Sequence, residues 1–237
     1  MANNTVSVDT VYQKVLALAN KEQRGYITPQ EFNLFASQAQ LELFEDYFHD
    51  IKMSRLKPSN NTEQSDELEM LNERISIHKV TNASITVANL VHTYPTDAYK
   101  LTSVYKGSTD ICEVDNQELR LMLKNSLTTP VATRPVYNRV GPNRIIIYPT
   151  ATYKTDGDVK CDYFKKPTDP KWTYVVISGK ALYNSNAGDA ADFDLHESEE
   201  NNLVMRILEL SGITLADPNL VQLAMRDKAN TKAEKNN

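Results

Sequence analysis

The segment Asn20-Lys-Glu-Gln-Arg-Gly-Tyr-Ile-Thr-Pro-Gln-Glu31 ends one predicted helix and begins the longest predicted helix of the chain. Its last four residues form a capping box, with Thr28 as the N-cap, a proline at the first helical position and Glu31 reaching back to the cap. Ile27 and Phe32 have the spacing of a hydrophobic staple. The pattern predicts a helix–turn–helix corner in which Thr28 and Glu31 form a structural helix cap.

The same twelve residues also have the length of an EF-hand calcium loop. Gly25 falls at the sixth position and Glu31 at the twelfth, where such a loop needs a sharp turn and a bidentate carboxylate. The fifth position should supply an oxygen ligand, but it is Arg24, which is permanently charged and has no acceptor atom. The sequence therefore favours a structural corner over a calcium site, and we predict neither a metal nor a cofactor.

Residues 29–56 are predicted to form one long helix with two apolar stripes. The main stripe consists of Phe32, Phe35, Ala36, Ala39, Leu43, Tyr47 and Ile51. A flanking stripe at heptad spacing consists of Leu34, Leu41 and Phe48. One stripe is enough to pack a helix against its own domain, so the second indicates either deep burial, which is the commoner case, or contact with a partner.

Strand-like alternation then replaces the helical period. It is present at Ile75 and Ile77, at Ile85 and Val87, at Leu101, Ser103 and Tyr105, and at Val159, Cys161 and Tyr163. Residues 144–149 and 173–177 also have the composition of strands, and residues 116–125 have that of a short helix. A helical period returns after residue 196, and Asp217-Pro218 has the form of the start of a last helix.

These patterns predict an α+β fold, with a helical bundle formed by the N- and C-terminal helices and an inserted β-rich domain of sandwich or barrel-like form. The predicted parts are an N-terminal helical part (1–56), a polar linker (57–70), the β-rich domain (71–192), C-terminal helices that pack with the N-terminal part (193–226) and a flexible tail (227–237).

Composition excludes several classes of protein. The 237 residues carry a formal net charge of −5, which disfavours a surface built to neutralise nucleic-acid phosphates. The two cysteines, Cys112 and Cys161, lie far apart in the chain, which predicts reduced thiols. No apolar run reaches membrane-spanning length, and the polar N-terminus does not have the form of a signal peptide. We expect synthesis in a cytoplasm without export by a classical route.

No motif indicates catalysis. The segment His196-Glu-Ser-Glu-Glu200 begins like a zinc-protease motif, but Glu200 stands where the second histidine is required. We predict instead an acidic first helical turn. The other histidines (His49, His78 and His92) are scattered along the chain. The protein is predicted not to be an enzyme, because no motif has the form of an active site. An enzyme would need a convergent polar pocket in the β-rich domain, around His78, His92 or Cys161.

The chain resembles virion structural proteins of tailed bacteriophages. Four stretches are similar to proteins of crAss-like phages of Bacteroidetes hosts: residues 20–44, Ile146-Ile-Tyr-Pro149, Asp162-Tyr-Phe-Lys-Lys-Pro-Thr-Asp-Pro-Lys-Trp172 and Phe193-Asp-Leu-His-Glu-Ser-Glu-Glu-Asn-Asn-Leu203. More distantly, Tyr94-Pro-Thr-Asp-Ala-Tyr-Lys-Leu-Thr-Ser-Val104 resembles the head–tail adaptors of podoviruses.

This resemblance implies a subunit of the head–tail connector, located in the virion. Such proteins form a ring of about twelve copies beneath the portal protein, contact other tail or ring proteins, and let genomic DNA pass through the lumen without specific binding. The alternative is another virion component, such as a tail-tube, tail-hub or minor capsid protein. On this interpretation, six residues of the helical regions are the candidate subunit or portal contacts: Leu34, Leu41, Phe48, Leu203, Ile207 and Met225.

Overall fold

The protein is a mixed α+β chain with six α-helices in the part that the structure describes. The computed structural model describes four stretches of residues: 5–21, 27–56, 62–154 and 158–212. The chain divides into two compact units. The helical unit combines Met1–Ile77 with Pro167–Asn237, and the β-rich unit is His78–Lys166. The β-rich unit is therefore narrower than the predicted range of 71–192.

Four α-helices make up the frame of the helical unit. Their bounds are α1 Val8–Lys21, α2 Pro29–Leu56, α3 Thr62–Ser76 and α6 Glu200–Leu210, the last preceded by a 3₁₀ turn at Glu197–Glu199. Helix α2 packs against α3 and α6, and α1 also packs against α6. The contacts bury Phe32, Ala36 and Ala39 of the main α2 stripe completely. Helix α2 thus has the predicted bounds, and its buried face matches the predicted stripe in part. Phe35, Leu43 and Ile51 of the stripe are only half-buried, whereas Phe44, which was in neither predicted stripe, is completely buried.

Helix α3 replaces most of the predicted polar linker. Residues 62–70 are helical, and residues 57–61 lie outside the described residues. Leu71 and Ile75 are buried at the four-residue spacing of one helix face, so Ile75 does not belong to a strand. The linker prediction failed because it weighed polarity alone, whereas Glu, Gln, Leu and Met are all good helix formers.

A β-hairpin also belongs to the helical unit. It consists of β9 (Tyr174–Ile177) and β10 (Lys180–Tyr183), which pair antiparallel through a two-residue turn at Ser178 and Gly179. Both turn residues have positive φ, of 51° and 76°, as a type I′ hairpin turn requires. Only the first of these strands was predicted. The predicted helix after Asp217 and the predicted tail lie outside the described residues.

The β-rich unit is built on one eight-stranded sheet. Its strands are β1 Lys79–Ser84, β2 Thr86–Ala88, β3 Val91–Thr93, β4 Ala98–Lys106, β5 Thr109–Glu113, β6 Val136–Gly141, β7 Arg144–Tyr148 and β8 Lys160–Lys165. The strand order is β1-β8-β4-β5-β6-β7-β3-β2. All pairs are antiparallel except β5 with β6, which are parallel and are joined through helix α4 (Asn116–Lys124). A second short helix, α5 (Thr150–Tyr153), follows β7.

The sheet is strongly curved into a nearly closed, barrel-like form. The two ends of the strand order, β1 and β2, are separated in sequence by Ile85 alone. A flat eight-stranded sheet would hold its outer strands about 34 Å apart, whereas one intervening residue spans about 7 Å. The sheet must therefore bend until its ends meet. Ile85 is buried at this junction, and its N–H donates to the carbonyl of Val159 at 3.2 Å.

The inner face of the sheet holds the core of the β-rich unit. The buried residues that make up this core are Ile85, Tyr94, Leu101, Val104, Ile111, Tyr137, Ile145, Ile147, Tyr153, Val159, Cys161 and Tyr163. The chain enters and leaves the unit at one place, because the N–H of Lys165 donates to the carbonyl of His78 at 2.8 Å. Strand β8 follows the predicted alternation, with Val159, Cys161 and Tyr163 all in the core. The predicted alternation of β4 is wrong after Leu101, because a bulge before Ser103 turns Val104 inward and leaves Ser103 and Tyr105 on the outer face.

Candidate functional site

Thr28 and Glu31 exchange the hydrogen bonds of a capping box at the start of α2. The Thr28 N–H donates to Glu31 Oε2 at 3.0 Å, and the Glu31 N–H donates to Thr28 Oγ1 at 3.3 Å. The Thr28 hydroxyl donates to the same carboxylate at 2.8 Å. The backbone hydrogen bond, and then the hydroxyl, lower the pKa of Glu31 below its ordinary value of 4.5.

The capping hydrogen bonds engage the carboxylate that a calcium loop would need at its twelfth position. Residues 22–26, which carry Arg24 and Gly25, lie outside the described residues. Among the residues that are described, no group of three or more His, Cys, Asp or Glu side chains is placed to hold a metal ion. The geometry of Glu31 is that of a structural cap.

The flanking stripe of α2 is exposed at one end and half-buried along the rest. Leu34 is 72% exposed, whereas Leu41 and Phe48 are half-buried. Phe48 makes an edge contact with the ring of Phe44, and the two centroids are 5.1 Å apart. Of the three predicted contacts on α2, Leu34 therefore offers the largest apolar surface to a partner.

Two of the predicted contacts on the C-terminal helix are wrong. Leu203 and Ile207 are completely buried on the face of α6 that belongs to the core of the helical unit, so neither side chain can meet another subunit. A helical period indicates which residues share a face, but it does not distinguish a face buried inside the domain from one buried by a partner. Met225 lies outside the described residues.

The β9–β10 hairpin presents apolar side chains on both of its faces. Val175 pairs with Leu182 and projects to one face, and Val176 pairs with Ala181 on the other. Val176 is 65% exposed and Ile177 is 56% exposed. An isolated two-stranded ribbon exposes backbone hydrogen-bonding groups along its edges as well as these side chains. Among the described residues of the helical unit, the hairpin carries the largest group of exposed apolar side chains that are close together in sequence. The sequence alone predicted no function for it.

Trp172 anchors the base of this hairpin to the helices. Its ring stacks against Tyr174 and Tyr183, with centroids 5.7 and 5.8 Å away, and lies 4.3 Å from the ring of Tyr12 on α1. The indole N–H donates to Asp9 at 2.9 Å. An open groove of about 420 Å³ lies between α1 and the hairpin turn, lined by Tyr12, Trp172 and Lys180 among others. The base of the hairpin is thus joined to α1 by aromatic contacts and one hydrogen bond.

A second exposed apolar surface belongs to the β-rich unit. Helix α4 buries Leu119 against Val114 and Val136, and exposes Leu121 and Leu123 on its other side. Leu127, in the turn that follows, is 80% exposed. Each unit thus displays apolar side chains that do not contribute to its own core.

The residues around which an enzyme pocket was considered are buried in the β-rich unit. His78 and His92 are buried, and burial followed by the charge of Asp162 raises the pKa of the Cys161 thiol to about 11. Cys161 is therefore protonated at neutral pH and is a poor nucleophile. His196 lies half-buried in the helical unit, where its Nδ1 accepts a hydrogen bond from the N–H of Ser198 and caps the 3₁₀ turn.

Charge is divided unequally between the two units. The β-rich unit carries 12 Lys and Arg against 8 Asp and Glu, a formal charge of +4. The rest of the chain carries 14 Lys and Arg against 23 Asp and Glu, a formal charge of −9. The modest net charge of the whole chain therefore conceals a basic unit and a strongly acidic one. Complementary charge of this kind steers and orients association between proteins.

No family model matches the chain, and no curated protein is significantly similar to it. No helix in the part of the chain that the structure describes is both long and apolar enough to span a membrane.

Proposed function

We propose that the chain is a structural protein of a tailed-phage virion, whose copies form a ring in the head–tail connector beneath the portal. The proposed role is mechanical, with genomic DNA passing through the lumen of the ring, and it requires neither catalysis nor a cofactor. The sequence resemblance supplies the class of protein, and the exposed apolar surfaces of the fold support it.

The exposed β9–β10 hairpin is the observation that carries this proposal. Val175 and Leu182 on one face, and Val176 on the other, place apolar area in solvent without benefit to the core of the helical unit. Contiguous apolar patches on a folded protein mark interaction sites. A ribbon with two apolar faces and open edges fits between neighbouring subunits, where both of its faces become covered.

The helices supply the second contact in this proposal. The N-terminal helices pack with α6, and we propose that they form one helical bundle from which the β-rich unit is an insertion. In that bundle the exposed Leu34 end of α2 faces the portal or the next subunit, and the β-rich unit faces a neighbouring copy or a tail component.

The alternative is a tail-tube, tail-hub or minor capsid protein. The same exposed hairpin and α2 surface would serve subunit contacts in those assemblies. The two possibilities differ in the neighbours of the chain within the particle, and a structure of the particle separates them.

Cryo-electron microscopy of the virion, or of its isolated connector, tests the proposal. We expect density for this chain in a closed ring against the portal, with the β9–β10 hairpin buried between subunits. A position further along the tail would support the alternative. Absence of the chain from the particle would overturn both assignments.

A further inference from the structure

We propose that the outer face of strands β1, β8 and β4 in one copy binds the exposed face of helix α3 in a second copy of this chain. The partner is thus another molecule of the same protein, bound through opposite charges arranged around an apolar centre. This inference rests on the proposed ring, since it names the contact by which the copies meet.

Phe164 and two lysines form the centre of the sheet face. Phe164 of β8 pairs with Lys79 of β1 on one side and with Lys100 of β4 on the other. Directly paired residues of neighbouring strands project to the same face. The adjacent residues Tyr163 and Leu101 belong to the inner core, so Phe164 and both lysines project outward. Both lysines are exposed, and the ring of Phe164 is half-buried.

A third lysine extends this face along β8. Lys160 is exposed and lies four residues before Phe164, which is about 13 Å along a strand. Asp162 lies between them, but its carboxylate already accepts hydrogen bonds from the hydroxyls of Ser103 at 3.2 Å and Tyr105 at 3.1 Å. The outer face of these three strands therefore carries three lysines and one carboxylate, a formal charge of +2. Asp110 of β5, which pairs with Tyr105, borders the face beyond Lys160.

Helix α3 carries the complementary pattern on its exposed face. Asp66, Glu69, Met70 and Glu73 follow one another at steps of three, one and three residues, which places them on one side of a helix. All four are exposed, and Met70 is 54% exposed at the centre of the three carboxylates. The opposite side of the helix buries Leu71 in the helical unit.

The two faces also match in size and in their apolar centres. Asp66 and Glu73 are about 10 Å apart along the helix axis, and Lys79 and Lys100 are separated by two strand spacings, again about 10 Å. Docking brings the thioether of Met70 onto the ring of Phe164, which is a favourable sulfur–aromatic contact. The carboxylates then surround this contact and face the lysines.

Between two copies of the chain, charge favours contact of a sheet face with an α3 face over contact of two like faces. Two sheet faces would repel each other, as would two α3 faces, whereas a sheet face attracts an α3 face. Because the two faces are different patches of one chain, the contact is heterologous. Repeated heterologous contacts close into a ring when the rotation between copies permits.

Charge reversal on each face tests the contact. We would prepare a sheet variant (Lys79→Glu with Lys100→Glu) and a helix variant (Glu69→Lys with Glu73→Lys), and measure self-association by sedimentation at low salt. Each variant alone should associate at least about tenfold more weakly than the original chain, and added salt should weaken the original association. An equimolar mixture should associate again, because each acidic sheet then meets a basic helix and the reverse.

A control variant reverses two exposed charges of α4, Arg120→Glu with Lys124→Glu, and should associate like the original chain. The contact would be overturned if both test variants also associated normally, if their mixture failed to associate, or if the original chain stayed monomeric at every concentration. Loss of single-stranded oligonucleotide binding in the sheet variant, with self-association unchanged, would assign the face to nucleic acid instead.

The outcomes for the contact and for the proposed function are distinguishable. A ring in the virion together with normal association of both variants would overturn the contact and leave the function standing. Mutual rescue of the two variants together with absence of the chain from the virion would establish the contact and overturn the function.

Discussion

Arg74 of α3 and Glu199, at the start of the C-terminal helical segment, form an ion pair whose Nη1 and Oε1 atoms are 2.7 Å apart. The Glu199 side chain is 4% exposed and the Arg74 side chain is 29% exposed. Asn202 donates a further hydrogen bond to the other carboxylate oxygen at 2.7 Å. The pair joins residues that are 125 positions apart in the chain, and so ties the two halves of the helical unit together.

Removal of Arg74 should destabilise the helical unit strongly. Arg74→Ala leaves a buried carboxylate without its charged partner, and we expect the free energy of unfolding to fall by about 3–5 kcal/mol. Urea unfolding followed by the fluorescence of Trp172, the single tryptophan, measures this change in the helical unit. Glu199→Gln should cost less, because the partly exposed guanidinium can turn to water. Lys171→Ala, which breaks an exposed pair with Asp189, is the control and should leave the midpoint unchanged. Equal midpoints for Arg74→Ala and this control would contradict the prediction.

The cap at Thr28 should make the start of α2 sensitive to pH. Because the pKa of Glu31 is lowered in the folded protein, its contribution is present above the ordinary value of 4.5 and is lost as the pH falls through the lowered folded value. Thr28→Ala keeps the backbone hydrogen bond, which is the main cause of the lowered Glu31 pKa, and removes that of the hydroxyl, so the pKa should rise only part of the way towards 4.5. The loss of the N-cap side chain should weaken the helix by about 1 kcal/mol. Carboxylate titration by NMR measures the first effect and denaturant unfolding the second. An unchanged Glu31 titration in Thr28→Ala would show that the Thr28 hydroxyl does not bind the carboxylate.

The two thiols should differ sharply in reactivity. Cys112 is exposed, whereas Cys161 is buried and has its pKa raised to about 11. In the folded protein, an alkylating reagent at neutral pH should label Cys112 within minutes and leave Cys161 unlabelled until the β-rich unit unfolds. Mass spectrometry after timed labelling, with Cys112→Ser as the control, checks this expectation. Labelling of both thiols at similar rates in the folded protein would contradict it.

Leu34 and Leu203 should respond oppositely to the same substitution. Leu34→Glu places a charge on a side chain that is already 72% exposed, so the monomer should keep its stability within about 0.5 kcal/mol and lose assembly. Leu203→Glu introduces a charge into a completely buried position and should prevent folding. Thermal unfolding and sedimentation separate the two effects. A Leu34→Glu protein that assembles normally would remove α2 from the proposed contacts.

The hairpin should contribute to assembly without contributing to the core. Val176→Asp should leave the thermal unfolding of the monomer unchanged, because Val176 is 65% exposed, while reducing incorporation into the particle. Ala151→Asp, at an exposed position of α5, is the matched control for the added charge. Co-purification of each variant with assembled particles is the measurement. Equal incorporation of the two variants would show that the hairpin lies outside the assembled interfaces.

The sequence predicted elements whose pattern is local and strong. Helix α2 combines a capping box with a sustained apolar period, and β7 and β8 combine β-branched or aromatic residues with alternation. The bulge in β4 between Leu101 and Ser103 has no such local signal. Helix α3 was missed because its first residues are polar and only Leu71 and Ile75 reveal the buried face. Strand β10 could have been found from Ser178-Gly179, a dipeptide typical of hairpin turns.

The candidate surfaces could not be predicted from the sequence, because they depend on tertiary packing and strand order, which a local pattern does not specify. Leu34 and Leu203 both belong to apolar stripes, yet tertiary packing exposes one and buries the other. The sheet face became visible only from the strand order, which places Lys79, Phe164 and Lys100 side by side although they are far apart in sequence. The unequal charge of the two units was not predicted either. The net charge of the chain sums both units, and their boundary is known only from the structure.

The hydrogen bond between His78 and Lys165 brings the two ends of the β-rich unit side by side, so that the unit has the form of an exchangeable insertion. Its first residue and its second-last residue are hydrogen-bonded, so the segment enters and leaves the chain at neighbouring positions. Insertions with adjoining ends can be gained, exchanged or deleted while the host domain keeps its own connectivity. Recombination between related genes could therefore replace this segment as one piece, and a short linker in its place should allow the helical unit to be produced alone.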